Sequence, residues 1–306
     1  MMDIERGKYG FNTPVKDIIP DFGKKGKERV TIGQILTHTS GLNSEIPYEL
    51  PVDQLGNIEA VTAACANERL LFTPGAILAY NSIAAFSILG VIVQRSDEKG
   101  RPYRQMLRED LFEPLGMVDA YLGLPDTSRE RIVPVAVRDQ TPGLFEPILL
   151  DAMSFSANEE TELPAGSCTS TATDVFRFME MMRQGGELNG VRILSPAMVK
   201  TATTCQTGDM RNHLLDYMNE MYGWNDSELS LGMAFFVKSG KARVTPPVTT
   251  TSPGTFAAMG AGSTITWVDP ELDLTFVFLS AGLLEEGASI TRHQRLSDMV
   301  VAAVSD

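Results

Sequence analysis

Few residues in this chain stand at spacings that could do chemistry. Ser96-Asp-Glu-Lys99 puts a lysine one helical turn after a serine, the spacing at which an amine can take a hydroxyl proton. It sits at the polar end of an apolar run, beside Gly100, where it reads as surface sequence. Lys238-Ser-Gly240 is set aside for its place at the end of a strand-like run. Tyr80-Asn81-Ser82 places a phenol, an amide and a hydroxyl in consecutive positions at the head of an apolar segment. A phenol has a pKa near 10 and needs a nearby cation to act as a base at neutral pH. Without one, Tyr80 can donate a hydrogen bond or a proton but is a poor base.

Metal and redox chemistry find little footing. Cys65, Cys168 and Cys205 are widely spaced with no CxxC pair, so they are neither a disulfide framework nor a zinc site. They read as buried free thiols. The histidines, His38, His213 and His293, are as scattered. No metal and no cofactor is expected. A net charge of −13 over 306 residues leaves no cationic surplus for phosphates, which argues against nucleic acid or an anionic membrane. The longest apolar run, residues 76–93, holds Tyr80, Asn81, Ser82 and Ser87 and is short for a span. The first ten residues have no apolar leader core, so a cytoplasmic location is expected.

The elements that must position these residues are legible from periodicity. Thr31-Ile-Gly-Gln34 fits a capping box, and QILTHTSGL (34–42) is a helix running into a turn. Further helices are predicted over 58–68, 82–94 and 102–113. Thr171-Ala-Thr-Asp174 caps another, with Val175, Phe178, Met179 and Met182 on one face, and Ser195-Pro196 opens the next. The texture then changes. Residues 231–237, 263–268 and 274–279 read as strands, with Asp269-Pro270 turning between the last two. A helix over 290–304 closes the chain, with Leu296, Met299, Val300 and Ala303 on its apolar face. Residues 208–230 read as surface packing or a flap, and 245–254 as a Pro/Thr-rich loop. The sum is an α+β domain spanning 1–306, with a helical lobe (about 31–180) and an α/β lobe built from both ends (about 1–30 and 181–306).

Seven ordered segments carry a resemblance: ERGKYGFNTPVKDIIPDF (5–22), TIGQILTHTSGL (31–42), PGAILAYNSIAAFSILG (74–90), DLFEPLGMVDAYLG (110–123), PAGSCTSTATDVFRFM (164–179), GELNGVRILSPAMV (186–199) and AMGAGSTITWVDP (258–270). Together they resemble the serine β-lactamase and penicillin-binding-protein-like family, in its class C and esterase branch. The resemblance implies a β-lactamase/transpeptidase-like fold, a helical lobe plus an antiparallel sheet flanked by helices. It implies acyl transfer on ester or amide substrates by a Ser-x-x-Lys at a helix N-terminus, a Tyr-x-Asn that shuttles the proton, and a Lys/His-Thr/Gly-Gly edge strand.

Against that pattern the chain departs. Met1-Met2-Asp3-Ile4 already resembles the helix on the C-terminal side of the family's first motif. The nucleophile is therefore expected to be absent from this chain and the sheet narrowed by its missing N-terminal strands. A homodimer or a partner chain is then expected to cover the incomplete sheet. Tyr80 falls at the family's tyrosine, with Asn81 or Ser82 at the asparagine. Ala258-Met259-Gly260 stands where the cationic third motif belongs, and an alanine and a methionine cannot bind a substrate carboxylate. The expected site is therefore Tyr80 and Ser82 as catalytic groups, with Asn81, Ala258, Met259 and Gly260 binding a small-molecule substrate in a pocket between the lobes. The favoured reading is a repurposed enzyme acting on a small carbonyl-containing or ester-like substrate. The alternatives are an ordinary serine esterase or β-lactamase whose catalytic segment lies outside this sequence, and a non-catalytic binding or scaffold protein.

Overall fold

The structure, a computed structural model, describes residues 1–304 except 44–45, 144–146, 148–157, 225–226, 240–247 and 262–263. The chain starts with α1 (Met2–Glu5) and Gly7 in the left-handed region. Then comes α2 (Ile32–Leu36), whose capping box is complete: Gln34 N–H donates to Thr31 Oγ1, and Gln34 Oε1 accepts from Thr31 N–H. Asn57 caps α3 (Ile58–Asn67), accepting from the N–H groups of Glu59 and Ala60. Next are α4 (Ser82–Arg95) and α5 (Tyr103–Leu107), the latter running on into a wider turn over Arg108–Phe112. Helix α3 packs on α4, and both bury aliphatic faces: Ile58, Val61 and Cys65 on one, Ile88, Val91 and Ile92 on the other.

Short strands and capped helices come next. Strand β1 (Tyr121–Leu122) pairs with β3 (Cys168–Thr169), and β2 (Ala136–Val137) lies between them in sequence. Thr171 Oγ1 caps α6 (Ala172–Arg183) through the Asp174 N–H. The hairpin of β4 (Glu187–Leu188) and β5 (Val191–Arg192) leads to α7 (Pro196–Thr203), capped by Ser195. Helix α8 (His213–Tyr222) ends on Gly223 in the left-handed conformation.

One antiparallel sheet organises the second half. Its order is β10 (Leu274–Phe278), β9 (Thr264–Asp269), β8 (Phe256–Gly260), β7 (Phe236–Val237) and β6 (Ser230–Leu231). The expected strand over 231–237 is thus two short strands, because Gly232–Phe235 forms a tight reversal closed by the Gly232 N–H to Phe235 carbonyl bond (2.8 Å). Strand alternation splits the sheet into two faces. Phe236, Ala257, Ile265 and Trp267 join a cluster with Leu214 and Met218 of α8. Val237, Phe256 and Val268 join the larger core with Met179 and Met182 of α6 and the α3–α4 pair.

Strand β11 (Gly282–Leu283) pairs in parallel with β2 and leads into α9 (Glu286–Val304). Helix α9 packs on the Trp267 face, where Trp267 Nε1–H donates to Ser297 Oγ (3.0 Å). Its buried face matches the expected one only in part, since Val300 packs against the Trp267 cluster. Ser289, Ile290, His293 and Ser297 are buried, whereas Met299 is 69 % exposed and Ala303 lies outward. Small polar residues at the sheet contact let the helix approach the indole, and composition alone hid that choice. Of the expected flap, Leu214 and Met218 are core residues and Met221 is exposed, so the packing reading describes α8. The Pro/Thr-rich loop lies partly outside the described residues. Cys65 is buried and free as expected, but Cys168, on the short β3, is exposed. No described helix is long and apolar enough to cross a membrane, and no cluster of metal-ligating side chains occurs among the described residues.

Candidate active site

The turn that ends α2 builds one wall of the site. His38 has φ +52°, and Gly41 has φ +79°. A Cβ on Gly41 would lie 2.1 Å from the Phe72 carbonyl oxygen, so only glycine lets these segments meet. The extended stretch before α4 runs alongside: Ala79 N–H donates to the His38 carbonyl (2.9 Å), and Leu78 exchanges backbone bonds with Arg211 and His213. These ties fix Tyr80 against both His38 and the sheet.

Three rings stack there. The Tyr80 ring lies 4.5 Å from that of His38 and 6.0 Å from that of Phe236. Phe236 is opposite Ala257 in the sheet. That pair is the last one on the β7 side, so no described strand pairs with Ala258–Gly260 there. On the other side Ala258, Met259 and Gly260 pair with Thr266, Ile265 and Thr264. Met259 shares the Tyr80 face of the sheet, and strand alternation turns Ala258 and Gly260 to the other face. A Cβ on Gly260 would lie 2.3 Å from Thr264 Oγ1, so this glycine serves the close approach of β9.

Charge is nearly absent around the phenol. Burial pushes the Tyr80 hydroxyl up to about 12; the Glu286 carboxylate adds to this and a hydrogen bond from Ser82 opposes it. The phenol is neutral across the physiological range. Ser82 is the first residue of α4, and its side chain is bonded to that neutral phenol, which cannot take its proton. Asn81 is buried: its N–H reaches His38 Nδ1 (3.3 Å), its Oδ1 lies 3.1 Å from the same nitrogen, and its Nδ2 reaches the Leu42 carbonyl (3.5 Å). Asn81 therefore holds the His38 turn against α4. Burial holds His38 down at about 4, against a smaller upward effect of Asn81, so the ring is neutral. Nδ1 thus meets both the Asn81 N–H and the Asn81 Oδ1, and Nε2 has no hydrogen-bond partner among the described residues.

The two lysine motifs play other parts. Ser96 ends α4, and its carbonyl accepts from Lys8 Nζ (3.0 Å). Lys238 Nζ donates to the Thr249 and Thr251 carbonyls, tying down a loop.

Glu286, at the head of α9, is the group that sequence reasoning missed. An acid in the first turn of a helix is ordinary, so nothing in the string marked it. The residue keeps some exposed surface, but burial of its carboxyl and the neighbouring Glu285 charge push it up to about 7. His38 and Phe236 were missed as well: each lies inside a recognisable segment, but nothing local sets its ring against Tyr80. Four clefts of about 250 to 950 Å³ are lined by other residues; one of about 460 Å³, between Tyr222, Trp224, Glu285 and Ala288, borders the turn that carries Glu286. Tyr80 lines none of these four.

Comparison with known proteins places this arrangement. The solved structure of a penicillin-binding protein homologue from Caulobacter crescentus superposes over 99 % of this chain and 79 % of its own, with a TM-score of 0.73 at 24 % identity. A family VIII carboxylesterase does so over 97 % and 79 %, again at 0.73, with 20 % identity. These show a β-lactamase/transpeptidase-like fold. Among sequences, Protein Rv1367c of Mycobacterium tuberculosis is 26 % identical over 305 residues, 90 % of this chain and 72 % of that protein. Esterase/beta-lactamase LipL of the same organism is 26 % identical over 307 residues, 92 % of this chain and 65 % of LipL. The model of the family described as Beta-lactamase matches residues 1–298, so the chain belongs to the Beta-lactamase family.

Proposed function

We propose that this chain acts on a small ester-like or carbonyl-containing substrate at Tyr80, whose neutral phenol donates a hydrogen bond to the substrate carbonyl oxygen. One observation carries the reading: the phenol is fixed by rings on two sides, stays neutral, and stands near the edge of β8 at Ala258–Gly260, with which no described strand pairs on that side. A donor held in a water-poor site stabilises the oxyanion that forms when a carbonyl is attacked. The apolar Met259, packed against the same hydrophobic cluster, favours an uncharged acyl group over a carboxylate-bearing one. Kinship supports the same chemistry, since relatives carry the names esterase/beta-lactamase and carboxylesterase. The test is a panel of p-nitrophenyl esters of rising acyl length. Saturable turnover, best on uncharged short acyl groups, is expected. No turnover above buffer would overturn the proposal and favour a non-catalytic binding role.

A further inference from the structure

The end of α8 and the head of α9 enclose the cleft of about 460 Å³ that Tyr80 does not line. One wall is aromatic. Gly223, in the left-handed conformation, turns the chain between Tyr222 and Trp224 so that their rings meet, centroids 4.9 Å apart and planes tilted by 37°. Both rings stay half-exposed. The wall is tied to the helix head. The Tyr222 hydroxyl donates to the Glu285 carboxylate, which also accepts from the Ala288 N–H (3.1 Å) and so caps α9. Gly287 lets the Tyr222 ring lie directly on the helix, since a Cβ there would come within 2.6 Å of it.

The far wall is cationic. Ala288, Thr291, Arg292 and Arg295 follow one another at the spacing of a single helix face, and all line the cleft. The face therefore runs from a small residue beside the aromatic pair to two guanidinium groups beyond it. Arg292 is held in place, its Cζ 5.3 Å from the centre of the Phe278 ring on β10. Arg295 is exposed and makes no hydrogen bond or ion pair among the described residues. Asp298, the next acid along the helix, is taken by Thr249 and by Thr250.

We propose that this cleft binds a small aromatic carboxylate, its ring on the Tyr222–Trp224 wall and its carboxylate on Arg292 and Arg295. The ring faces offer stacking surface to a second aromatic. A guanidinium presents paired donors that match the two oxygens of a carboxylate. The placement of charge selects a monoanion. Glu285 stands at the aromatic end and repels a second negative group there, and the net charge of −13 disfavours polyanions such as nucleotides. The site is separate from the Tyr80 reading and stands or falls without it.

The experiment is isothermal titration of the full chain with 2-naphthoate, and with 2-naphthol, cyclohexanecarboxylate and inorganic phosphate as partial ligands. Saturable one-to-one binding of 2-naphthoate is expected, with each partial ligand weaker. Arg295→Gln and Trp224→Ala should each weaken 2-naphthoate by about 5-fold. Arg108→Gln, an equal loss of charge in a different cleft, should bind as the wild type does. Melting temperatures confirm that the variants are folded, and Trp224→Leu replaces Trp224→Ala if the latter is not. No saturable binding of 2-naphthoate would overturn the proposal. So would wild-type affinity in both cleft variants, or any partial ligand binding as tightly as 2-naphthoate.

Discussion

The Tyr80 ring rests on that of His38, centroids 4.5 Å apart and planes tilted by 42°. Both partners are neutral, and both are held so by burial. This gives the site a stability signature separate from its chemistry. His38 is depressed to about 4, below its ordinary 6.5. Between these values the unfolded chain binds the proton and the folded chain does not. Stability should therefore fall as pH drops from about 6.5 to about 4, by an amount on the order of 3 kcal/mol, and this contribution should level off below. Urea midpoints across that range check it. His38→Gln should remove that part of the slope, whatever it does to the absolute midpoint.

Gly41 makes the turn on which His38 stands. Gly41→Ala brings a Cβ to within contact-breaking distance of the Phe72 carbonyl and forces an unfavourable φ. A loss of about 3 kcal/mol or more in chemical denaturation is expected. A change under about 0.5 kcal/mol would mean that the turn does not lie against Phe72.

Helix α9 packs on the sheet through Ile290, Val300 and Val301, with one polar bond from the Trp267 indole to Ser297 set among them. Ser297→Ala leaves the buried Trp267 Nε1–H without this acceptor and should cost about 1–3 kcal/mol. Indole fluorescence and thermal melting report it together.

Ser82 is bonded to a neutral phenol, and Ser96 ends a helix at the Lys8 contact, so neither is an activated nucleophile. Incubation with a fluorophosphonate or a β-lactam should leave the intact mass unchanged. A single adduct mapped to either serine would restore the serine esterase reading.

Strand β10 closes the sheet with an edge that no described strand covers. We expect a second chain to pair there, giving a dimer in light scattering at micromolar concentration. A monodisperse wild-type monomer would contradict this.

Much of the fold was legible because its signals are local. Caps at Thr31, Thr171 and Ser195 and the β-branched strands around Trp267 each declare themselves within a few residues. The site was legible only in part. Tyr80 and the 258–260 strand could be found through the resemblance, but the roles around them depend on contacts between distant parts of the chain. Asn81 bonds to His38, 43 residues away, and Glu286 acts on Tyr80 from the far end of the chain. Periodicity likewise said that α9 was amphipathic but placed its stripe only in part: Val300 packs against the Trp267 cluster, whereas Met299 and Ala303 face outward and serines and a histidine take the buried positions.

Every role given to the site turns on the Tyr80 hydroxyl binding the reacting carbonyl. The decisive experiment is the steady-state kinetics of Tyr80→Phe on the best ester of the panel, with melting temperature as the control for folding. Loss of one oxyanion donor should lower kcat by about 100-fold or more, with KM changing little and the melting temperature nearly that of the wild type. A Tyr80→Phe protein that turns over its ester at the wild-type rate would show that the phenol does not bind the carbonyl.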